Sequence, residues 1–326
     1  MKSRNLVLFL FCLFLVGILA VMLIGACSNY TARQPISQLT NPSTSLCRAV
    51  QHTRGETCIP LNPQRIMTLD TFILGDVLTL LDVKPIGTAG TEENYNASYL
   101  KGKTEGIELI RSIDGQPSLE KILLLHPDLI IGLSTSRNQA IYQQLSQIAP
   151  TVLVPWQEIS YDWKQRFQDF AAIFGKTETA KQVLDDYNRR VKGLKQALSD
   201  RQQQIRALLS FAYPNGFHIA LKNSFPGSIL DDVGLLSPSY QIRDEMYLSI
   251  SEETLSEIDG DILFIASPHR NMYKLEQLQR KPLWFKLKAV QQHQVYLVDH
   301  SVWRGYNILA AHAVIDDLFQ YLVNTP

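Results

Sequence analysis

The chain has 326 residues, 45% of them hydrophobic and 19% charged, with 31 basic and 31 acidic side chains. That length is comfortable for two domains, and the composition builds cores while excluding a disordered polyelectrolyte. Without the leader, which holds Lys2 and Arg4 but no acids, 29 basic residues face 31 acidic ones, so the basic footprint of a nucleic-acid binder is absent.

Lys2 and Arg4 precede an apolar stretch over residues 6–24, followed by Gly25-Ala26-Cys27-Ser28. A basic start, an apolar core and small residues before a cut describe a secretory signal. The stretch also approaches the ~20 residues of a membrane span, so an uncleaved anchor is the alternative. Leu23-Ile24-Gly25-Ala26-Cys27 resembles a bacterial lipobox, which implies cleavage before Cys27 and lipidation of that cysteine. In either case the folded part is expected outside the cytoplasm, tethered by residues 28–45, which are rich in Ser, Thr, Asn, Gln and Pro.

Cys47 and Cys58 bracket a segment that predicts a short hairpin turning near Gly55, with His52 on its surface. In an exported protein such a pair is most simply a disulfide, contributing at most ~3 kcal/mol by the chain-entropy argument. A two-cysteine metal site is the alternative, and it lacks further ligands nearby. Residues 66–69 predict a first core strand, 71–81 a helix with an apolar stripe that includes Phe72, and 83–87 a turn into the next strand. A polar loop follows at 91–96.

A phrase then occurs twice. Ser118-Leu-Glu120-Lys-Ile-Leu-Leu-Leu-His-Pro-Asp128-Leu-Ile-Ile131 is matched by Ser251-Glu-Glu253-Thr-Leu-Ser-Glu-Ile-Asp-Gly-Asp261-Ile-Leu-Phe264. Each copy predicts a Ser N-cap, a short helix, a breaker (Pro127 or Gly260), and a strand covered on both faces. Between the copies the chain predicts a helix near 138–148, a strand at 151–154 and a helix over 163–174 ended by Gly175. A helix over 177–201 comes next, about 37 Å long at 1.5 Å per residue. Strands at 206–211 and 216–220 and a helix at 228–233 lead to the second copy. Strand 294–298 and a helix over 308–322 close the chain. Strand–helix alternation of this kind predicts mainly parallel sheets in two related lobes.

Pro63-Gln-Arg-Ile-Met-Thr-Leu, Leu74-Gly-Asp-Val-Leu-Thr-Leu-Leu-Asp-Val-Lys-Pro-Ile-Gly87, the first repeat copy through Gly132, and Pro282-Leu-Trp with Val295-Tyr resemble the iron–siderophore substrate-binding proteins of ABC importers. The resemblance spans residues 60–323. It implies an α/β fold of two Rossmann-like lobes joined by one long α-helix, with a ligand cleft between them. Residues 1–26 are then the signal peptide, 27–59 the tether and hairpin, 60–175 the N-terminal lobe, 176–204 the connecting helix and 205–326 the C-terminal lobe. It also implies that Glu120 and Glu253, one per lobe, dock onto the permease, since fixed carboxylates orient an encounter with cations.

Ligand groups are expected in loops at the strands' carboxyl ends. A ferric chelate asks for aromatic faces, cations and a few donors, and its iron, already wrapped, needs no protein metal cluster or cofactor. Tyr95, Ser134, Ser136 and Arg137 are the candidates in the first lobe. Arg243, Tyr247, His269, Arg270, Trp303 and Arg304 are those in the second. Trp303 resembles the pocket tryptophan that hydroxamate-binding relatives place before their last helix. Those relatives often carry an Arg shortly before the first Pro-x-Leu-Glu phrase, where this chain has Asp114, with Arg111 three residues earlier. His126 reads as a helix-end group, and His218, His300 and His312 lack zinc spacing. The expected partners are a ferric siderophore, an ABC permease and, through the lipid anchor, the membrane, with the protein itself a monomer. Cobalamin or haem is the alternative ligand in this architecture. A hydrolase lacks its Gly-x-Ser-x-Gly elbow here, and a direct zinc or manganese receptor would bind metal without chelator.

Overall fold

Short apolar runs bounded by turns form the strands of two separate five-stranded sheets. The computed structural model describes residues 47–81, 83–112, 115–156, 162–199, 205, 207–213, 216–235, 245–251, 254, 260–266 and 272–323. In chain order the strands are β1 (Cys47–His52), β2 (Gly55–Pro60), β3 (Ile66–Thr68), β4 (Gly87–Gly90), β5 (Glu108–Arg111), β6 (Leu129–Leu133), β7 (Thr151–Val154), β8 (Ala207–Tyr213), β9 (Gly216–Ala220), β10 (Tyr247–Ile250), β11 (Ile262–Ala266) and β12 (Val295–Val298). The α-helices are α1 (Leu74–Leu80), α2 (Glu92–Tyr95), α3 (Leu119–Leu124), α4 (Ser136–Ala140), α5 (Tyr142–Ile148), α6 (Trp163–Ile173), α7 (Thr177–Leu198), α8 (Phe225–Val233), α9 (Met272–Gln279), α10 (Lys288–Gln291), α11 (His300–Trp303) and α12 (Ile308–Leu322).

The first sheet has the order β5-β4-β3-β6-β7 and is parallel throughout. Every residue of β6 is buried, which requires cover on both faces. The second sheet, β10-β9-β8-β11-β12, is parallel only across β8, β11 and β12; β9 runs antiparallel to both neighbours. Two residues separate β8 from β9, too few for a crossover helix, so that pair has to be antiparallel. Strand β10 departs from the expected pattern, as does α2, which turns the expected polar loop into one helical turn capped by Thr91.

The repeat is borne out in its first copy. Ser118 Oγ accepts from Lys121 N at 3.3 Å, α3 turns Ile122 inward, and Asp128 accepts from Gln64 N and Arg65 N at 2.7 and 3.0 Å. Asp128 thereby ties the start of β6 to the start of β3. In the second copy β11 is as buried as β6 and Asp261 pairs with Lys288. Glu253 and most of the residues expected to form the second copy's helix lie outside the described residues.

Helix α7, shorter than expected, spans 22 residues, about 33 Å. Its inward stripe is Ala180, Leu184, Tyr187, Val191, Leu194 and Leu198, and it packs on α6, α8 and α12. Further links join the two halves. Asp76 on α1 pairs with Arg166 on α6 at 2.5 Å, both almost wholly buried, and also accepts from Ile308 N, in the first turn of α12, at 3.1 Å. Arg166 donates to Tyr306 O at 2.6 Å. Gly75 lies so close to Asn307 that a Cβ would sit 2.2 Å from its Oδ1. His300 Nδ1 stands 3.1 Å from Glu93 Oε1.

The hairpin forms as expected, with Gly55 at φ +109° and Cys47 bonded to Cys58. It lies over β7, the edge of the first sheet: Thr53 N and Oγ1 donate to Leu153 O at 3.3 and 3.0 Å. His52 is not a loose surface group, because its Nε2 meets Thr57 Oγ1 at 2.8 Å and its Nδ1 accepts from Arg54 N at 3.3 Å. Among the described residues no helix is long and apolar enough to cross a membrane.

Candidate functional site

The carboxyl ends of the first sheet's strands open into a cleft of about 440 Å³, the expected place for a ligand in an open α/β sheet. Asp70, just past β3, forms part of its lining. One of its carboxylate oxygens accepts from Leu133 N and from Asn138 Nδ2, both at 2.9 Å. Burial pushes the Asp70 pKa up to about 6, against the pull of these two bonds and of Arg166. Thr135 caps α4 by accepting from Asn138 N at 3.2 Å, and so sets Arg137 at the cleft. The Arg137 guanidinium rests on Gly115: a Cβ there would lie 2.5 Å from Cζ. Gly115 also has φ +79°, so both backbone and space demand glycine.

One wall is aromatic. Phe72 and Trp156 are near-parallel, with ring centroids 6.4 Å apart, and Tyr306 meets them edge-on at 5.2 and 5.9 Å. Tyr306 belongs to the second lobe and holds φ +54°, an uncommon conformation for a bulky residue. Its hydroxyl pairs with that of Tyr247 at 2.6 Å, and the Arg304 guanidinium lies 5.6 and 5.8 Å over the two rings. Burial, helped by that cation, lowers the pKa of His218 on β9. The faces of Phe72 and Trp156, the Arg137 guanidinium and the hydroxyls of Thr91, Ser112 and Ser136 thus line one cleft, and Arg304 stands behind its aromatic wall. They can hold a bulky anionic guest without bonding a metal directly.

Of the expected ligand residues, Arg137 and Ser136 line the cleft, and Tyr247 and Arg304 back its aromatic wall. Ser134 is buried and accepts from Gln139 Nε2. Trp303 lies elsewhere: it is fully buried, 4.9 Å from the Phe264 ring, and donates to Asp317 Oδ2 at 2.7 Å. Tyr95 is also displaced from the expected role, because its hydroxyl turns to Thr104 O and Ile107 O at 3.0 and 2.6 Å. Arg243, His269, Arg270 and Cys27 lie outside the described residues. Glu120 is exposed on α3, and His126 ends that helix at φ +48° with its carbonyl accepting from Arg65 Nε. Phe72, Trp156, Tyr306 and Asp70 were not singled out by sequence. Trp156 offered a signal, being an aromatic placed straight after a strand and a proline.

A groove of about 460 Å³ between α6 and α7, lined by Lys164, Lys181, Asp185 and Leu184 among others, is slightly larger, but it is formed by two helices and no strand end reaches it. Among the described residues no group of three or more His, Cys, Asp or Glu side chains could hold a metal ion.

A family model described as periplasmic binding protein matches residues 68–302. The chain belongs to that family. The siderophore-binding lipoprotein YfiY of Bacillus subtilis, whose name carries the word probable, is 31% identical over the full length of both chains. The Fe(3+)-citrate-binding protein YfmC of the same organism is 29% identical, with 89% of each chain covered. Among solved structures, Staphylococcus aureus SirA complexed with staphyloferrin B superposes with a TM-score of 0.70 at 23% identity, covering 84% of this chain and 98% of that one. That likeness concerns the fold.

Proposed function

We propose that this protein binds a ferric siderophore outside the cytoplasmic membrane and delivers it to the permease of an ABC importer. The observation that carries this reading is the cleft at the strand ends, lined by the aromatic faces of Phe72 and Trp156 and by the Arg137 guanidinium, with Tyr306 and Arg304 of the second lobe packed behind that wall. Such a site suits a preassembled, anionic metal complex. The names of YfiY and YfmC, a siderophore binder and a ferric citrate binder, support the same ligand class. The protein acts as a receptor and not as an enzyme. Cleavage before Cys27 exposes the cysteine that carries the lipid anchor, the protein works as a monomer, Glu120 and Glu253 face the permease, and Arg243 and Arg270 add to the cation set.

Trp156 supplies the assay. Titration with ferric citrate, a ferric hydroxamate and a ferric catecholate is expected to quench tryptophan fluorescence with one of them, and Trp156→Phe should remove most of that quenching. Quenching by cobalamin or haem alone would overturn the assignment.

A further inference from the structure

The α2 turn at the rim of the cleft is held from both sides. Its cap Thr91 and its third residue Asn94 line the cleft, and Thr91 Oγ1 accepts from Asn94 N at 3.3 Å. Between them stand two acids. Glu92 accepts from Arg111 Nε on β5 at 3.0 Å, a bond inside the first lobe between largely exposed side chains, which holds little. Glu93 turns the other way and meets His300 Nδ1, at the start of α11 in the second lobe, at 3.1 Å. Here exposure falls to 31% for Glu93 and 13% for His300. A carboxylate only accepts, so Nδ1 carries the hydrogen of this bond whether the ring is neutral or charged. A second link runs alongside. Ser98 Oγ, in the turn after α2, donates to Asp299 Oδ2 at 3.1 Å, while Asp299 Oδ1 caps α11 by accepting from Ser301 N at 2.8 Å. Each lobe thus offers one acid to a donor of the other.

Both partners stand where an open α/β sheet carries its ligand loops, because α2 follows the carboxyl end of β4 and α11 that of β12. The α11 turn also leads into the second lobe's part of the site: His300 O accepts from Arg304 N at 3.0 Å, and Tyr306 follows two residues later. One short turn therefore carries both a grip on the cleft rim and the residues behind the aromatic wall. We propose that His300 is a positioning residue for the chelate site: through Glu93 it fixes the α2 turn, so that the second lobe holds Thr91 and Asn94 of the first in their binding places. This rests on the proposed reading of the cleft as the chelate site. His300 acts through Glu93 and not on the ligand. A released α2 has to be ordered again when the chelate binds, and that cost appears as lost affinity.

The test is a double-mutant cycle on the full chain, read by Trp156 fluorescence with whichever of the three chelates above the unaltered chain binds. The variants are His300→Ala, Glu93→Ala, the two together, and His300→Asn, whose amide nitrogen stands close to the place of Nδ1 and keeps the donor. Each alanine variant is expected to bind about 3- to 10-fold more weakly, and the double variant no more weakly than either single one. His300→Asn should stay within about twofold of the unaltered chain. Undiminished affinity in Glu93→Ala, a partly exposed position whose variant keeps the test open should His300→Ala not fold, overturns the inference. Losses that multiply in the double variant do the same, since the two residues then act separately. His300→Asn binding as weakly as His300→Ala would assign the ring to packing alone, which also sinks it. Should the unaltered chain bind none of the three chelates, the chelate reading fails and this inference falls with it; binding that the variants leave unchanged sinks this inference alone.

Discussion

The two sheets reach the same strand count by different means, and the difference separates their roles. The first is parallel throughout, has its exposed edge β7 covered by the disulfide hairpin, and supplies the cleft from its strand ends. The second is antiparallel along one edge, and its described contribution to the site is one cluster, Tyr247, Arg304 and Tyr306. The first lobe is therefore a preformed receptacle. The second meets it through Tyr306, whose backbone conformation persists because Arg166 holds its carbonyl and Tyr247 its hydroxyl.

The largest expected effect tests whether the halves are energetically one body. Asp76→Ala strands the buried Arg166 charge and removes the acceptor for Ile308 N, so it should cost ~3–5 kcal/mol in denaturant unfolding. A loss below ~1 kcal/mol would mean that this buried pair is not what couples the lobes, leaving α7 and the contacts of Tyr306 to do so. Replacing Cys47 and Cys58 together by Ser should cost at most ~3 kcal/mol, because the closed loop is short and the hairpin keeps its own hydrogen bonds. Thermal melts under oxidising conditions check this; a larger loss would show that the hairpin holds up the sheet and does not merely cover its edge.

On binding, Arg137→Ala should weaken an anionic ferric chelate roughly 10- to 100-fold, the scale of a charged hydrogen bond at ~1.5–3 kcal/mol. Gly115→Ala should do part of the same damage by pushing the guanidinium off its seat. Arg304→Ala is the matching change in the second lobe, and fluorescence titration ranks the pair. A larger loss at Arg304 would reverse the assignment of the receptacle to the first lobe.

The legible parts of the fold were those dictated by local chemistry. The apolar spacing over 308–322 coincides with α12, Ser118 caps α3, and the run beginning at Leu129 is β6, because caps, breakers and periodicity act within a few residues. Strand β10 was not legible: Tyr-Leu-Ser-Ile becomes a strand only because β9 presents an edge to it. The site was half legible. Arg137 follows a core strand and could be named from that alone, but Gly115, its seat, is distant in sequence. Resemblance put Trp303 in the pocket, whereas the cleft wall is met by Tyr306, three residues further along, and Trp303 packs inward on Phe264. Both aromatics precede the last helix, and only tertiary packing decides which one meets the Phe72 and Trp156 wall.

The smallest expected effect concerns Asp70, the acid in the lining of the same cleft. Burial raises its folded pKa to about 6, so the folded state binds this proton more readily than the unfolded chain does. Its contribution to stability is therefore largest at low pH and is lost as pH rises through about 6. Above that pH an ionised Asp70 repels an anionic chelate, by roughly 1 kcal/mol for charges ~8 Å apart at an effective dielectric of ~40. Affinity should thus tighten about fivefold on acidification through that range, beyond any titration of the chelate itself. Asp70→Asn keeps an oxygen that can accept from Leu133 N and Asn138 Nδ2, so it should bind at pH 8 as the unaltered chain binds at pH 5 and lose the pH step. If the variant instead binds more weakly at every pH, Asp70 accepts a donor from the ligand, and the first lobe reads its guest by hydrogen bonding as well as by charge.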